Sequence, residues 1–171
     1  MASTLDLLKR LSDHRVECVV VGGVAGVAHG SSVVTEDVDV CAPLSADNLA
    51  RIWAALGDLR PRWRMSPGRP PVPDDPNKVA GFKNLYLLTD LGQIDILSEI
   101  SGVGAYDDVA RHSIVVDLGG VTCRVLDIDA LILAKRAMGR PKDLQTATEL
   151  EAIRERVRRE RRQCDCSQDV R

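Results

Sequence analysis

Two aspartates in an Asp-x-Asp spacing are the residues of this sequence best suited to chemistry. Asp37 and Asp39 stand two apart in the run Thr35-Glu36-Asp37-Val38-Asp39-Val40. Residues two apart in a β-strand point to the same face, so we expect the two carboxylates to project side by side. Paired carboxylates of this kind hold the metal ions that assist phosphoryl and nucleotidyl transfer.

A glycine pair, Gly22 and Gly23, lies upstream of these acids, directly after the apolar run 19–21. The order of residues predicts a strand, a tight turn and a short helix. Glycines allow backbone amides to approach phosphate groups at the start of a helix. We therefore predict that Gly22 and Gly23 bind the β- and γ-phosphates of a nucleotide, and the alternative is a tight turn without a ligand.

A third carboxylate is predicted from the segment Gln93-Ile94-Asp95-Ile96-Leu97, in which polar and apolar residues alternate. The alternation is typical of a half-buried strand and places Asp95 on its polar face. Asp90 and Glu99 are neighbouring candidates for the same role. Mg²⁺ takes oxygen ligands, commonly a few carboxylates with substrate phosphates and water, and these acids match that preference.

The order Gly22-Gly23-x-Ala25, then His29-Gly30, then Thr35-x-Asp37-x-Asp39 resembles the nucleotidyltransferase superfamily with the DNA polymerase β-like catalytic fold. It looks most like the small bacterial branch that includes the AbiEii-type toxins and the minimal nucleotidyltransferases. The resemblance implies metal-dependent transfer of a nucleoside monophosphate from an NTP to an acceptor hydroxyl, with release of pyrophosphate. It also implies Mg²⁺ or Mn²⁺ as cofactor, tRNA or protein as acceptor, and a cognate toxin–antitoxin partner.

The resemblance assigns roles to the candidate residues. Asp37 and Asp39 would hold the metal ion on the triphosphate, and Asp95 would complete a second metal site and help the acceptor hydroxyl lose its proton. Lys135 would contact the triphosphate, with Lys142 as a second candidate. Supporting contacts are predicted for further residues: Asp143 would orient a lysine or cap the last helix, and Ser31, Ser32 or Thr35 would supply a hydroxyl.

Two positions depart from the superfamily pattern. Many relatives have Gly-Ser where this chain has Gly22-Gly23, and the related small enzymes often carry an arginine where this chain has Val33. Both changes remove a side-chain contact to phosphate. A second hypothesis is therefore a catalytically degenerate module that binds a nucleotide or a partner protein. A dinucleotide-binding fold is a weaker rival, because the glycines lack the full Gly-x-Gly-x-x-Gly spacing.

The predicted elements form an α/β (α+β) domain with a mixed, mostly antiparallel sheet flanked by helices. Hairpins are predicted at 85–97 and 114–126, and helices at 46–56, 128–138 and 141–162. One nucleotidyltransferase-like domain over 1–163 and a polar tail over 164–171 follow from this pattern. The proline-rich stretch 66–81 is either a surface insertion or a lid near the active site.

Composition indicates which partners and which cellular location to expect for the protein. The 171 residues carry a net charge of -2, so no global basic field favours a nucleic-acid partner. Arginines at 154, 156, 158, 159, 161 and 162 alternate with glutamates, which predicts a solvated helix with ion pairs or a basic arm for RNA. Five unpatterned cysteines, no signal-like start and no run long enough to cross a bilayer lead us to expect a cytoplasmic protein without a membrane partner.

Overall fold

A seven-stranded mixed sheet forms the centre of the chain, with helices packed against it. The computed structural model describes residues 2–33 and 35–168, and the side chains of residues 2, 3, 161 and 164–168 lie outside the described set. The helices are α1 Ala2–Asp13, α2 Gly22–Ala28, α3 Ala46–Leu56, α4 Tyr106–Arg111, α5 Ile128–Met138 and α6 Pro141–Gln168. The strands are β1 Val19–Val21, β2 Val38–Cys41, β3 Arg62–Trp63, β4 Asn84–Thr89, β5 Gly92–Leu97, β6 Glu99–Ile100, β7 Gly104–Ala105, β8 Ser113–Leu118 and β9 Val121–Leu126.

The strand order of the main sheet is β3-β4-β5-β2-β1-β9-β8. Strand β2 pairs with β5 in parallel and β1 pairs with β9 in parallel, whereas the other neighbours are antiparallel. The predicted mixed, mostly antiparallel sheet flanked by helices is therefore confirmed. A dinucleotide-binding fold, which repeats parallel βαβ units, is not the architecture of this chain.

Alternation along the central strands decides which side chains face the core. Val38 and Val40 of β2 and Ile94 and Ile96 of β5 are almost fully buried. Their neighbours in sequence, which include Asp39, point to the opposite face of the sheet because the side-chain period of a strand is two. One face of the central strands is thus apolar core, and the other carries carboxylates.

Local sequence signals placed several elements correctly. Helix α5 has the predicted bounds, with Asp127 accepting a hydrogen bond from the backbone of Ala130 and Gly139 in the left-handed conformation at φ 68°. Both predicted hairpins are present as β4–β5 and β8–β9. Strands β6 and β7 and helix α4 were missed, because elements of two to six residues carry little periodicity.

The proline-rich stretch 66–81 is braced against α3 and β3. Trp53 of α3 donates from Nε1 to the carbonyl of Pro73 at 2.8 Å, and the backbone amide of Trp63 donates to Pro70 at 2.9 Å. The ring of Phe82 lies 5.7 Å from that of Trp63. These contacts hold the stretch beside the outer edge of the sheet, at β3.

Helix α6 is longer than predicted and runs to Gln168, so residues 164–168 of the predicted tail are helical and 169–171 lie outside the described residues. Arg154 and Arg158 both bind Asp129 of α5, at 2.6 and 3.3 Å. Glu151 of α6 binds a further arginine, Arg136 of α5, at 2.7 Å. The α5–α6 pair is therefore joined by ion pairs. Within the described residues, no helix is both long and apolar enough to cross a bilayer.

Candidate active site

Asp39 and Asp95 are directly paired across two parallel strands. The register of β2 and β5 sets Asp39 opposite Asp95, and both side chains lie on the face away from the core. Asp37 stands one residue before β2, and all three acids line one cavity of about 420 Å³. Parallel pairing of two strands that are distant in sequence is thus what brings the third acid to the first two.

The backbone of Gly22 packs directly against the carboxylate of Asp39. It has a φ of +62°, and a Cβ atom built on it would lie 2.0 Å from Oδ2 of Asp39. Any side chain at this position would be strained and would displace the carboxylate. The glycine is therefore required by the close packing of an acid on the backbone.

The backbone of Gly23 packs in the same way against the side chain of Thr35. A Cβ atom on Gly23 would lie 2.6 Å from Cβ and 2.7 Å from Oγ1 of Thr35. The backbone amide of Gly23 donates a hydrogen bond to the Asp39 carboxylate, so it is engaged by that acid. The Thr35 side chain thus occupies the space that a side chain at position 23 would need, which accounts for the glycine at this position.

Burial and neighbouring negative charges destabilise the ionised form of Asp39. Burial, together with the charges of Asp95 and Asp37, raises the pKa of Asp39 to about 6, while Lys135 and the amide of Gly23 act in the opposite direction. Desolvation and like charges both disfavour an ionised carboxylate. A cation in the cavity would relieve this strain.

Asp95 is held by Arg64, a residue that the sequence did not single out. The single atom Nη2 of Arg64 lies 2.7 Å from Oδ1 and 2.5 Å from Oδ2 of Asp95. Burial still raises the pKa of Asp95, although the hydrogen bond and charge of Arg64 lower it. A short strand is predicted from the sequence at 62–65 and is present as β3 Arg62–Trp63, but no local pattern indicated that Arg64, which follows it, binds Asp95.

A second carboxylate, Asp143, is enclosed by two cations. Its side chain is 6% exposed, and it accepts hydrogen bonds from Lys135 Nζ at 3.0 Å and Arg140 Nε at 2.6 Å. Although burial acts in the opposite direction, these two partners lower the pKa of Asp143. Lys142 lines the same cavity and is in no ion pair within the described part of the chain.

The loop that leads into β2 is fastened to α6 by Glu149. One carboxylate oxygen accepts from the Ser31 hydroxyl at 2.8 Å, and the other accepts from the backbone amide and hydroxyl of Ser32 at 2.8 and 2.9 Å. The same loop carries Val33 and Thr35 into the cavity. Glu149 therefore connects the position of this loop to the position of α6, and sequence alone gave no signal for it.

A second cavity, of about 300 Å³, adjoins the first along a shared wall. Asp39, Lys135, Arg140 and Asp143 line both cavities. The second cavity is more apolar than the first. The residues that line the second cavity but not the first include Gly22, Asn84, Tyr86, Leu97, Leu131 and Met138. Oδ1 of Asn84 is buried without a hydrogen-bond partner, while its Nδ2 donates to the Tyr86 hydroxyl at 3.2 Å.

Asp37 and Asp39 are the carboxylates of the site that fit a metal ion. Among the described residues, no group of three or more His, Cys, Asp or Glu side chains is arranged to hold one. Both oxygens of Asp95 are engaged by Arg64, whereas Asp37 and Asp39 line the first cavity without an ion-pair partner among the described residues. Two carboxylates with phosphate oxygens and water make an ordinary Mg²⁺ ligand set, so these residues fit one ion bound together with a triphosphate.

The structure brings most of the predicted site residues to one place. The first cavity is lined by Gly23, Thr35, Asp37, Asp39, Asp95, Lys135 and Lys142, and Gly22 lines the second. Of the alternatives to Asp95, Glu99 lines the second cavity, and Asp90 instead binds Arg60 at 2.8 Å. The roles of these residues in binding and catalysis stay predictions.

Comparisons with known proteins identify the fold. No family model matches the sequence, and no curated protein matches it. A solved structure of a candidate nucleotidyltransferase from Thermotoga maritima is similar, with a TM-score of 0.52 and 17% identity over 84% of this chain and 86% of that one. The antibiotic-resistance factor ANT(2'')-Ia is also similar, with a TM-score of 0.53 and 12% identity over 99% of this chain and 97% of that one. The predicted nucleotidyltransferase fold is therefore confirmed.

Proposed function

We propose that this protein is a metal-dependent nucleotidyltransferase that moves a nucleoside monophosphate from an NTP to an acceptor hydroxyl. The observation that carries the proposal is the meeting of Asp37, Asp39 and Asp95 in one cavity that also contains Lys135 and Lys142. The shared fold with the two solved structures supports it. Mg²⁺ or Mn²⁺ is the proposed cofactor, held by Asp37 and Asp39.

The proposed reaction is an in-line displacement at the α-phosphorus. The acceptor oxygen forms a bond to that phosphorus, the bond to the oxygen bridging the α- and β-phosphates breaks, and pyrophosphate leaves with that oxygen and its electron pair. Asp95 is the carboxylate that would accept the proton of the acceptor hydroxyl. When bound, the divalent ion supplies neutralisation of charge on the phosphate oxygens.

The surrounding cations favour a triphosphate in the first cavity. Lys142 is free to pair with phosphate, whereas Lys135 is already bound to Asp143. The adjoining cavity of about 300 Å³ has apolar walls and an unpartnered amide oxygen on Asn84, and we assign it to the nucleoside. Pockets for small ligands commonly combine an apolar lining with a few polar groups of this kind.

The proposed acceptor is a tRNA or protein hydroxyl, and the proposed biological setting is a toxin–antitoxin pair, both on the resemblance to the AbiEii-type branch. The arginines of α6 give RNA less support than their number suggests. Arg154 and Arg158 are each bound to Asp129, so they are not free to face a phosphate backbone. A protein hydroxyl and an RNA hydroxyl are therefore tested side by side.

A binding module without transfer activity is the second candidate function. Two observations favour it: Arg64 engages both oxygens of Asp95, and Val33 lines the cavity where related small enzymes often place an arginine. Such a module would bind an NTP or a partner protein and leave the NTP intact.

Label transfer distinguishes the two functions. The protein is incubated with Mg²⁺ or Mn²⁺, each α-labelled NTP in turn, and either total RNA or a protein extract. Transfer that disappears in Asp37→Ala and persists in Asp74→Ala, an exposed loop acid, supports the enzyme. NTP binding without transfer to either acceptor class would support the binding module and contradict the proposed activity.

A further inference from the structure

Arg64 occupies the place on Asp95 where a chelated cation would lie. One nitrogen, Nη2, sits between the two carboxylate oxygens at 2.7 and 2.5 Å. An arginine usually meets a carboxylate with two nitrogens in parallel, one for each oxygen. Here a single positively charged group is centred on both oxygens, as a metal ion bound by both oxygens of one carboxylate would be.

The ion pair is enclosed by protein. The side chains of Arg64 and Asp95 are 24% and 14% exposed, and Nε of Arg64 is buried without a partner. Breaking a buried ion pair by removing one charge is strongly unfavourable, since the other charge remains uncompensated. Moving Arg64 away from Asp95 would therefore need an equivalent cation in its place.

The backbone of Arg64 is fixed as well. Its amide donates to the carbonyl of Tyr86 at 2.9 Å, and its guanidinium carbon lies 5.7 Å from the centre of the Tyr86 ring. The chain before and after it is braced through Trp63, which donates to Pro70 and packs against Phe82. Arg64 is thus built into the edge of the sheet and not carried on a free loop.

Charge in the first cavity is consistent with a resident cation at this position. Four acids line the first cavity, and two of them are bound by cations: Asp95 by Arg64, and Asp143 by Lys135 and Arg140. Asp37 and Asp39 have no ion-pair partner within the described part of the chain. Asp37 and Asp39 are therefore the carboxylates whose charges an added cation would neutralise.

We propose that Arg64 is the second cation of this site, so that the chain binds one divalent ion, on Asp37 and Asp39, in place of two. The inference rests on the proposed function. In this arrangement Arg64 uses two of the roughly four lone-pair directions of the Asp95 carboxylate, and the others stay open to the acceptor hydroxyl. Arg64 would also offset negative charge that develops on the acceptor oxygen.

The stoichiometry of Mn²⁺ binding tests the proposal without any need for turnover. Each protein is mixed with an equimolar α,β-methylene NTP, and bound Mn²⁺ is counted by electron paramagnetic resonance and by calorimetry. Wild type should bind one ion per protein–nucleotide complex. Arg64→Gln should bind two, because the amide leaves the Asp95 carboxylate uncompensated, while Arg64→Lys, which keeps the charge, should bind one.

Arg60→Gln is the matched control. Arg60 lies four residues earlier and binds Asp90 at 2.8 Å, but neither residue lines the first cavity. The control should bind one ion, like wild type, and circular dichroism verifies that each variant is folded. If Arg64→Gln does not fold, Arg64→Met, which keeps an unbranched side chain without its charge, takes its place and should likewise bind two ions.

The outcomes separate the inference from the proposed function. Two ions on wild type would overturn the inference, since Arg64 would then leave Asp95, and would leave the proposed function standing. One ion on both wild type and Arg64→Gln would also overturn it, because the arginine would not be what excludes a second ion. No bound ion on any folded variant would overturn the proposed metal-dependent function together with the inference.

Discussion

Gly22 lies directly beneath the carboxylate of Asp39, close enough that a Cβ atom on the glycine would fall 2.0 Å from Oδ2. The contact joins the turn after β1 to the middle of β2, which are neighbours in the sheet. The backbone at Gly22 therefore limits where the Asp39 carboxylate can lie, and a single added methyl group tests this limit.

Gly22→Ala should disturb both stability and ion binding. The left-handed φ of +62° costs a non-glycine residue about 1–2 kcal/mol, and the added methyl group must push Asp39 aside. Chemical denaturation should show a loss of at least that size, and Mn²⁺ titration should show weaker binding. Gly30→Ala is the control, because Gly30 has a φ of +95° and no atom within 4 Å of a built Cβ. Equal Mn²⁺ affinity in the two variants would contradict the predicted role of the contact.

Asp39→Asn should stabilise the protein at neutral pH in the absence of metal. Because the pKa of Asp39 is raised to about 6, the folded state binds more protons than the unfolded state between roughly pH 4 and 6. Its ionisation therefore lowers the free energy of unfolding as pH rises through that range, by about 1–3 kcal/mol. Asparagine does not ionise, so Asp39→Asn removes this decrease in the free energy of unfolding.

Denaturation curves between pH 4 and 8 measure the effect. Wild type should lose stability as pH rises from 4 to 6, apart from a background shared by all variants, and Asp39→Asn should lose less. Asp74→Asn, a change at an exposed loop acid, should follow wild type. Parallel curves for wild type and Asp39→Asn would show that Asp39 is not electrostatically strained.

The two lysines of the cavity should respond differently to substitution. Lys135→Met removes a partner of Asp143, whose side chain is 6% exposed, and breaking a buried ion pair costs about 3–5 kcal/mol. The remaining partner, Arg140, should reduce that loss. Lys142→Met should leave stability nearly unchanged, because Lys142 is exposed and is in no ion pair among the residues that the structure describes.

NTP binding supplies the second readout for the lysines. Lys142→Met should weaken binding of the α,β-methylene NTP, with an effect that shrinks at high salt because the lost contact is between charges. Calorimetry and denaturation together separate the two positions. A Lys142→Met variant with unchanged nucleotide affinity would remove Lys142 from the proposed binding site.

Glu149→Ala should loosen the loop before β2 without unfolding the protein. The carboxylate accepts three hydrogen bonds from Ser31 and Ser32, and the loop beyond them carries Thr35 and Asp37 into the cavity. Hydrogen exchange should increase at residues 31–37, and Mn²⁺ affinity should fall by about tenfold or more, as for residues that orient metal ligands.

Two controls accompany Glu149→Ala. Glu149→Gln keeps an acceptor oxygen and should retain part of the affinity, and Glu151→Ala removes an ion pair to Arg136 on the same helix without touching the loop. Unchanged exchange at 31–37 in Glu149→Ala would mean that the loop is positioned by other contacts.

The sequence by itself determined the parts of the site that depend on local order. The two-residue spacing of Asp37 and Asp39 fixed them on one side of the chain, and the alternation around Asp95 fixed its face in β5. Capping residues set the ends of α5, because Asp127 and Gly139 act on their own neighbours. Patterns of this range can be read from a single chain, since the interactions that cause them lie within a few residues.

Only the tertiary structure decided which distant residues meet. Parallel pairing of β2 with β5 put Asp39 beside Asp95, and pairing of β3 with β4 put Arg64 onto Asp95, 31 residues away in sequence. Packing of α6 brought Glu149 to Ser31, 118 residues away. An arginine or a glutamate has the same local pattern whether it is solvated or bound to a distant partner. Strand order therefore decided the contact of Arg64 with Asp95, and helix packing decided the contact of Glu149 with Ser31.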